Sequence, residues 1–344
     1  MATLTVAGKT EVFVGRAVAG QVLPDRVDRE RAAVLTQPGA TQPALDIAQR
    51  LRAEGLAVEV IGLPDRDQAK TLDVAETVYE SLAKFGLGRH DTVVGVGGGS
   101  VTDLAGFVAG TWLRGVEAVY VPTTLLAAVD ASIGGKTGVN LAGKNLVGVF
   151  WHPTRVVIDL TIMEDLPSSL LKEGMAEALK AGLIDDPELF ELIESDGTSS
   201  SLEEVVTRAV SVKARIVDRD ERERGDRALL NLGHTIGHAI EFASPLSHGE
   251  SVGLGLVAAG RISESRYGFI HSDRVNQAIE GLGLPVMIDG LDRARVIDLL
   301  GHDKKRDASG IRMILLSDIG DPSITHVTTQ EINVGLEAVG LRSN

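Results

Sequence analysis

The sequence has no cysteine and no surplus of basic residues. Without cysteine there can be no disulfide framework, thiolate metal site or cysteine nucleophile, so any metal must bind His, Asp or Glu. The 34 Lys and Arg residues are outnumbered by 48 Asp and Glu residues, which gives a net charge of −14. This balance argues against a nucleic-acid partner, which would require a basic face. An anionic substrate would therefore need a local basic pocket.

Long apolar runs are also missing. No segment approaches the roughly 20 apolar residues that a membrane span requires, and the N-terminus shows no charged-then-apolar leader. We therefore expect no membrane association and a cytoplasmic location. With 344 residues, 44% of them hydrophobic, the chain is long enough for two domains.

Short apolar strands alternate with amphipathic helices over the first half of the chain. This alternation predicts an α/β domain with a doubly wound, mostly parallel sheet, preceded by a hairpin within residues 4–22. The predicted strands are 32–35, 58–61, 92–96, 118–121 and 156–160, with helices over 44–53, up to 85 and over 101–113.

The pattern becomes almost wholly helical after Pro167 and stays so to about residue 300. A late strand over 313–316 and a last helix from about residue 329 complete the chain. We therefore predict an α/β domain over 1–166 and an all-α domain over 167–344.

A glycine turn at residues 97–100 links an apolar strand to a helical pattern. Glycines let backbone N–H groups approach an anion, and a helix N-terminus faces it. The turn is neither a G-x-G-x-x-G motif nor a P-loop, so a tight turn without a ligand is the alternative. The glycine-flanked lysines Lys136 and Lys144 favour a site for phosphates or carboxylates. Asp103, in the first helical turn, could be a dipole partner or could reach a hydroxyl group.

The helical half contains a histidine cluster. Spacing alone predicts His234 and His238, at i and i+4, as a metal-binding pair. His248 could be a third ligand, and Glu177 or Glu250 could balance the charge. The alternative is that the two histidines fall four apart by chance and pack or cap.

Taken in order, the motifs resemble those of the 3-dehydroquinate synthase family over about residues 64–317. The motifs are Gly97-Gly-Gly-Ser-Val-Thr-Asp103, Pro122-Thr-Thr124, Asp130-Ala-Ser-Ile-Gly-Gly-Lys136, Gly143-Lys-Asn145, Gly174-Met-Ala-Glu177-Ala-Leu-Lys180, Asn231-Leu-Gly-His-Thr-Ile-Gly-His238 and His248-Gly-Glu250. The resemblance implies a lyase of the shikimate pathway that converts 3-deoxy-D-arabino-heptulosonate 7-phosphate, a small anionic sugar phosphate, to 3-dehydroquinate and phosphate. It also implies catalytic use of NAD and a bound Zn²⁺ or Co²⁺.

The resemblance assigns the metal to Glu177, His234 and His248, in place of the i, i+4 pair. It implies NAD contacts at Asp65, Asp67, Lys70, Gly97, Gly98, Gly99, Ser100, Val101, Thr102, Asp103, Thr123, Thr124, Asp130, Lys136, Lys144, Ile162 and Asp165. It implies substrate contacts at Arg114, Lys136, Asn145, Lys180, Lys213, Arg227, Asn231, His238 and one of Lys304 and Lys305. The catalytic residues it implies are Asp130, Lys136, Lys144, Lys180, Lys213, Glu223 and His238. Arg114 would come from the partner subunit of a homodimer.

Some positions depart from the family pattern. Asp67 stands where a glutamate is usual, and Thr36-Gln37 stands where an acidic residue often contacts the adenosine. Three rival functions stay open: another sugar-phosphate cyclase that makes an inosose or a valiolone, a metal-dependent polyol dehydrogenase, and a non-catalytic NAD-binding regulator. The regulator should lack the lysines at 136, 180 and 213, which are all present.

Overall fold

The computed structural model describes residues 1–23, 28–302, 306–307 and 310–342, with residues 302, 306 and 307 described by their backbone alone. Two compact units are defined by contacts: residues 1–167 with 213–222, and residues 168–212 with 223–344. The domain division at 166/167 stays a prediction, and the contacts group 213–222 with the first unit.

A seven-stranded sheet forms the framework of the first unit. The strands of this unit are β1 (Ala2–Val6), β2 (Thr10–Gly15), β3 (Arg31–Thr36), β4 (Ala57–Gly62), β5 (Thr92–Gly97), β6 (Glu117–Pro122), β7 (Lys136–Val139), β8 (Val147–Phe150) and β9 (Arg155–Asp159). The sheet has the order β1-β2-β9-β6-β5-β3-β4, and all its pairs are parallel except the β1–β2 hairpin. This arrangement confirms the predicted doubly wound class and the N-terminal hairpin.

Helices cover both faces of the central strands. The helices of this unit are α1 (Thr41–Ala53), α2 (Leu72–Phe85), α3 (Gly99–Thr111) and α4 (Leu160–Met163). Val94 and Val96 of β5 belong to the hydrophobic cluster that includes α1. A Cβ on Gly95, which points to the opposite face, would meet Ala105 of α3. Because both faces are covered, β5 and β6 are continuous apolar runs instead of alternating ones.

The strand order changes direction at β3, which pairs with β4 on one side and β5 on the other. The connection from β3 to β4 therefore leads to the edge of the sheet. The connection from β4 to β5 runs in the opposite direction and places β5 on the other side of β3. Ligands of such sheets bind outside the carboxyl ends of the strands at this switch point. The residues at these ends are Thr36 and Gly97, so the glycine turn lies at the expected position.

Several elements of the first unit were not predicted. Strands β7 and β8 form an antiparallel hairpin, and residues Ala127–Ala131 form a short π-helix. Gly138 pairs with Gly148 at the centre of the hairpin, where a Cβ on Gly138 would lie 2.8 Å from the carbonyl oxygen of Val147. Glycine is therefore needed for the two strands to approach each other.

The second unit is mainly helical, as predicted. Its elements are α5 (Ser168–Asp185), α6 (Pro187–Asp196), the first part of α7 (Leu202–Arg219), α8 (His234–Ala243), α9 (His248–Tyr267), α10 (Ser272–Gly281), α11 (Arg293–His302), β10 (Arg306–Asp307), β11 (Gly310–Asp318), β12 (Asp321–Val327) and α12 (Thr329–Ala338). The three strands form a small antiparallel sheet in the order β10-β11-β12. Of these strands, only β11 was predicted.

Helix α9 is the centre of this unit, and it packs against α5, α8, α10 and α12. A capping box fixes its start: Ser247 accepts a hydrogen bond from the Glu250 N–H, and the Glu250 carboxylate accepts one from the Ser247 N–H. Gly268, with φ of 72°, ends the helix. Of the helices in the described part of the chain, none is both long and apolar enough to cross a bilayer.

Candidate functional site

The glycine turn joins the end of β5 to the start of α3. The Thr123 N–H donates to the Gly97 carbonyl over 2.9 Å and so ties the turn to the end of β6. A Cβ on Gly97 would lie 2.8 Å from the Cβ of Val101, so this position requires glycine. Gly98 is the N-cap of α3 and provides no capping side chain. The N–H groups at the start of α3 are thus suited to an anionic group such as a pyrophosphate.

A lysine connects this turn to two neighbouring loops. The Lys70 Nζ donates to Asp103 Oδ2 and to Asn145 Oδ1, each over 2.5 Å. Burial raises the pKa of Asp103 above its ordinary value, and the Lys70 ammonium opposes that change. The Ser100 hydroxyl donates to Asp67 Oδ1 over 3.1 Å. The structure therefore brings together the predicted NAD-binding residues of the 65–70 loop and the glycine turn.

Gln37 holds the 65–70 loop from the end of β3. Its Nε2 donates to the carbonyl oxygens of Pro64 and Arg66, both over 2.9 Å. The sequence marks this position only as a departure from an acidic pattern. In the structure, its amide fixes the loop that carries Asp65 and Asp67.

Asp130 and Lys213 form a second polar pair in the first unit. The Lys213 Nζ donates to the backbone carbonyl of Asp130 over 2.6 Å and to its Oδ1 over 2.5 Å. Asp130 lies in the π-helix, and the Thr124 hydroxyl accepts from the Ala127 N–H at the start of that helix. The arrangement places a cation beside a carboxylate at the end of the β6 segment.

Several predicted residues have a strained backbone. Non-glycine residues with positive φ number eight in the part of the chain that the structure describes, and three of them are Arg114 (69°), Asn145 (54°) and Glu223 (55°). Leu113, beside Arg114, is a fourth with φ of 49°. Left-handed conformations cost L-residues roughly 1–2 kcal/mol each and tend to persist at functional sites. The strain therefore supports a role for these loops beyond packing.

Glu177, His234 and His248 form a compact group in the second unit. They lie on α5 and on the first residues of α8 and α9, and their ligand atoms are within 4.8 Å of one another. Glu177 Oε1 is 3.3 Å from His234 Nε2 and 3.1 Å from His248 Nε2. Ligands about 2.0–2.1 Å from a tetrahedral metal ion stand about 3.3–3.4 Å apart, so the group fits a divalent metal. Three protein ligands leave a fourth position for a substrate oxygen.

The protonation states of Glu177 and His234 suit metal binding. Burial works against the charged form of Glu177, but Lys180 and His234 hold the pKa of its carboxyl well below the usual range. Burial also lowers the pKa of His234, whose Nδ1 lies 3.0 Å from the Leu232 carbonyl oxygen. An Nδ1–H donated to that carbonyl directs the Nε2 lone pair of His234 toward Glu177. Burial favours the neutral form of His248, but hydrogen bonds to Glu177 and Glu241 raise the pKa of its ring to about 10, so a metal must displace a proton from it.

Close glycine contacts set the spacing of the three helices. A Cβ on Gly255 of α9 would overlap the Gly233 carbonyl oxygen, just before His234, and one on Gly237 would lie 2.8 Å from the Ser251 carbonyl oxygen. A Cβ on Gly249 would overlap the backbone of Glu173 on α5 and lie 3.0 Å from its Cβ. The helices that carry Glu177, His234 and His248 are therefore as close as their backbones allow.

His238 lies beside this group without joining it. Its ring centroid is 5.0 Å from that of His234 and 6.1 Å from that of His248. Among the described residues, it groups with His248 and Glu241. Sequence reasoning missed Glu241, although it is seven residues after His234 on the same helix face.

The other predicted residues of the second unit are held by contacts within that unit. Lys180 forms an ion pair with Glu177. The Asn231 Nδ2 donates to Glu223 Oε1 over 3.2 Å, and Arg227 is buried in the 3-10 helix Asp226–Asn231. The Glu250 carboxylate, an alternative ligand from spacing, is used in the α9 capping box.

The remaining predicted residues lie elsewhere. Lys136 begins β7, Lys144 precedes Asn145 in the β7–β8 connection, and Asp165 is exposed just after α4. Ile162 packs against the hydrophobic cluster of the first unit. Lys304 and Lys305 lie outside the described residues.

The sheet with its glycine turn and the helical unit with its Glu-His-His group define a metal-dependent α/β enzyme. Two family models match the chain: the 3-dehydroquinate synthase N-terminal model over residues 60–173 and the C-terminal model over residues 174–306. The chain belongs to the 3-dehydroquinate synthase family, and this confirms the resemblance seen in its motifs.

Individual proteins agree with this assignment. The chain is 41% identical to 3-dehydroquinate synthase of Mycobacterium leprae over 90% of its own length and 89% of the relative's. A structure of 2-deoxy-scyllo-inosose synthase with carbaglucose-6-phosphate, NAD⁺ and Co²⁺ matches with a TM-score of 0.88 at 26% identity, covering 98% of this chain and 99% of that one. A 2-epi-5-epi-valiolone synthase from Streptomyces hygroscopicus subsp. jinggangensis with NAD⁺ and Zn²⁺ matches with a TM-score of 0.87 at 26% identity, covering 99% and 98%.

Proposed function

We propose that this chain converts 3-deoxy-D-arabino-heptulosonate 7-phosphate to 3-dehydroquinate and inorganic phosphate in the shikimate pathway. The observation that carries the proposal is the Glu-His-His group, with its 3.1 and 3.3 Å contacts, in a chain of this family. The cofactors are NAD and Zn²⁺ or Co²⁺, as in the two cyclase structures above.

Glu177, His234 and His248 hold the divalent metal. When bound, the metal acts as a Lewis acid that polarises a substrate hydroxyl and favours its oxidation. Lys180, paired with Glu177, keeps this carboxylate ionised and oriented. The oxidation makes the neighbouring C–H acidic, and the departing phosphate can itself accept that proton, so we assign no separate protein base to the elimination.

The NAD site consists of the glycine turn, the 65–70 loop and the threonines after β6. The N–H groups at the start of α3 would hold the pyrophosphate, and Asp67, oriented by Ser100, would meet a ribose hydroxyl. NAD supplies reversible hydride transfer at the substrate carbon, so it is restored in each cycle. Asp65, Lys70, Thr123, Thr124, Lys144, Ile162 and Asp165 complete the proposed contacts.

Basic and amide side chains bind the anionic substrate. Lys136, Asn145, Arg227, Asn231 and His238 hold its phosphate and carboxylate. Lys180 and Lys213 bind its carboxylate and hydroxyl groups, and Asp130 and Glu223 orient hydroxyls or transfer protons. The Lys213–Asp130 pair supports this assignment, because it places a donor and an acceptor side by side.

Phosphate release tests the reaction. We expect purified protein with Zn²⁺ and substoichiometric NAD to release many phosphates per NAD from the heptulosonate phosphate, and a chelator to abolish the release. Absence of phosphate release with this substrate would refute the proposal. The structural likeness to inosose and valiolone synthases makes a sibling cyclase the second candidate, so their sugar phosphates are the comparison substrates.

Two histidine variants test the division of roles. His248→Ala should lose the metal and all turnover, because it removes a protein ligand. His238→Ala should keep the metal and bind the phosphorylated substrate weakly. Metal analysis of both variants decides the assignment: loss of zinc in His238→Ala with retention in His248→Ala would contradict it.

We also propose a cytoplasmic homodimer in which Arg114 acts on the substrate of the partner subunit. The left-handed backbone of Leu113 and Arg114 supports a functional turn. Mixed dimers of Arg114→Ala and His248→Ala chains would then contain one complete site and regain activity that each parent lacks. If Arg114 acts within its own subunit, mixed dimers stay inactive.

A further inference from the structure

His248 has a second partner on the side away from the metal group. Its Nε2 faces Glu177 Oε1 at 3.1 Å, and its Nδ1 faces Glu241 Oε2 at 3.4 Å. Glu241 lies on α8, and 11% of its side chain is exposed. The imidazole is therefore held between two carboxylates on different helices, one on each ring nitrogen.

We propose that Glu241 positions His248 by accepting its Nδ1–H, which leaves the Nε2 lone pair for the metal. Glu241 is a positioning residue in this role and touches neither metal nor substrate. The inference rests on the proposed metal site. A histidine that ligates through one nitrogen needs an acceptor for the N–H of the other, and a carboxylate in that place also raises the basicity of the ring.

His234 provides a comparison within the same site. Its Nδ1 lies 3.0 Å from the Leu232 carbonyl oxygen, a neutral acceptor that belongs to the backbone. The two imidazoles thus have different outer partners. Only that of His248 can be removed by substituting a side chain.

A second metal in the group formed by His238, Glu241 and His248 is the competing interpretation. If both groups held metal through both nitrogens of His248, the ring would have to lose both its protons and become an imidazolate. A single proton on Nδ1 instead satisfies Glu241 and leaves Nε2 free for one metal ion. The number of protons on the ring therefore favours one metal per chain.

Three variants test the proposal by metal affinity. Glu241→Ala should weaken Zn²⁺ binding about 10- to 100-fold, the usual effect of removing an outer partner. Glu241→Gln keeps an oxygen acceptor at the same place without the charge, so its loss should be smaller than that of alanine. Glu280→Ala, an exposed position on α10, is the matched control and should bind Zn²⁺ as the unmodified protein does.

The measurement is competition between the metal-free protein and a chelating dye, together with the visible spectrum of the Co²⁺ form. The spectrum should change in Glu241→Ala and be largely restored in Glu241→Gln, which a purely structural role would not produce. Far-UV circular dichroism of the metal-free proteins checks that α8 and α9 are intact.

The number of metal ions bound per chain distinguishes a failure of this inference from a failure of the proposed function. One metal per unmodified chain with Glu241→Ala at full affinity would overturn the inference and leave the proposed function intact. No metal in the unmodified protein would overturn the proposed function itself. Two metals per chain, one of them lost in both Glu241→Ala and His238→Ala, would overturn the inference in favour of a second site.

Discussion

Substituting alanine for Gly255 tests whether the glycine contacts determine the metal site. A Cβ at this position would stand 2.8 Å from the carbonyl carbon of Gly233 and overlap its oxygen. Non-bonded carbon atoms prefer about 3.5–4.0 Å, so the backbones of α8 and α9 must separate by at least about 0.7 Å. Metal–ligand distances tolerate only about 0.2 Å. His234, next to Gly233, would therefore lie too far from Glu177 for the two side chains to bind one metal ion.

The expected size of the effect of Gly255→Ala follows from two opposing free-energy terms. Overpacking costs about 1–3 kcal/mol, whereas replacing glycine by alanine inside a helix gains about 0.5–1 kcal/mol. If the strain is relieved by opening the ligand group, the 1–3 kcal/mol cost corresponds to a loss of about 5- to 150-fold in metal affinity. If the helices hold together, the metal-free protein is destabilised instead.

Gly260→Ala is the matched control on the same helix. The nearest atom to a Cβ there is Ser272 Cβ at 3.8 Å, an ordinary contact. This variant should gain stability slightly and keep full metal affinity. Zn²⁺ affinity and unfolding by circular dichroism should be measured for both variants. Trp112 and Trp151, both in the first unit, report by fluorescence that the first unit is unaffected. Equal affinity and equal stability in the two variants would refute the reasoning.

Three further predictions concern single contacts. Lys70→Met should destabilise the first unit by about 3–5 kcal/mol in chemical unfolding, because it leaves the largely buried Asp103 carboxylate without its cation, and Asp103→Asn in the same chain should restore part of the loss. Leu113→Gly should raise the free energy of unfolding by up to about 1 kcal/mol, since it relieves a left-handed leucine; a lower value would show that the leucine side chain matters more than the strain. Burial alone would raise the pKa of Glu331, but hydrogen bonds from Thr328 hold it below its ordinary value of 4.5. The stabilisation by Glu331 is therefore present above pH 4.5 and lost as pH falls through the lowered pKa, so Glu331→Gln should lower the melting temperature at pH 7 and converge with the unmodified protein in acid. A difference independent of pH would contradict that explanation.

The sequence predicts the elements that bury continuous or periodic apolar faces. The strands of the parallel sheet and the helices from residue 168 onward follow from such patterns, and the structure confirms them. The β7–β8 hairpin escapes prediction because its central pair is Gly138 and Gly148, residues with low strand propensity. Strand β12 escapes because Pro322 and mixed polar residues weaken its alternation.

The chemistry of the site is only partly local in sequence. The i, i+4 spacing correctly places His234 and His238 on one helix face, but Glu177 and His248 approach His234 from other helices. Spacing along one helix cannot predict such contacts between helices. Here the contacts depend on Gly249 and Gly255, whose role is visible only once the helices are packed.

Lys70 contacts residues of two proposed binding sites. The same ammonium donates to Asp103, in the proposed NAD turn, and to Asn145, in the proposed substrate-phosphate loop. A ligand that alters the charge or position of Asp103 changes the hydrogen bond that Lys70 donates to Asn145. In the same way, a ligand that moves Asn145 changes the contact between Lys70 and Asp103. The two affinities are then linked by one coupling free energy, typically about 1–3 kcal/mol, with the same value whichever ligand binds first. Binding of the cofactor would therefore change the affinity for the substrate through this lysine, and binding of the substrate would change the affinity for the cofactor by the same factor.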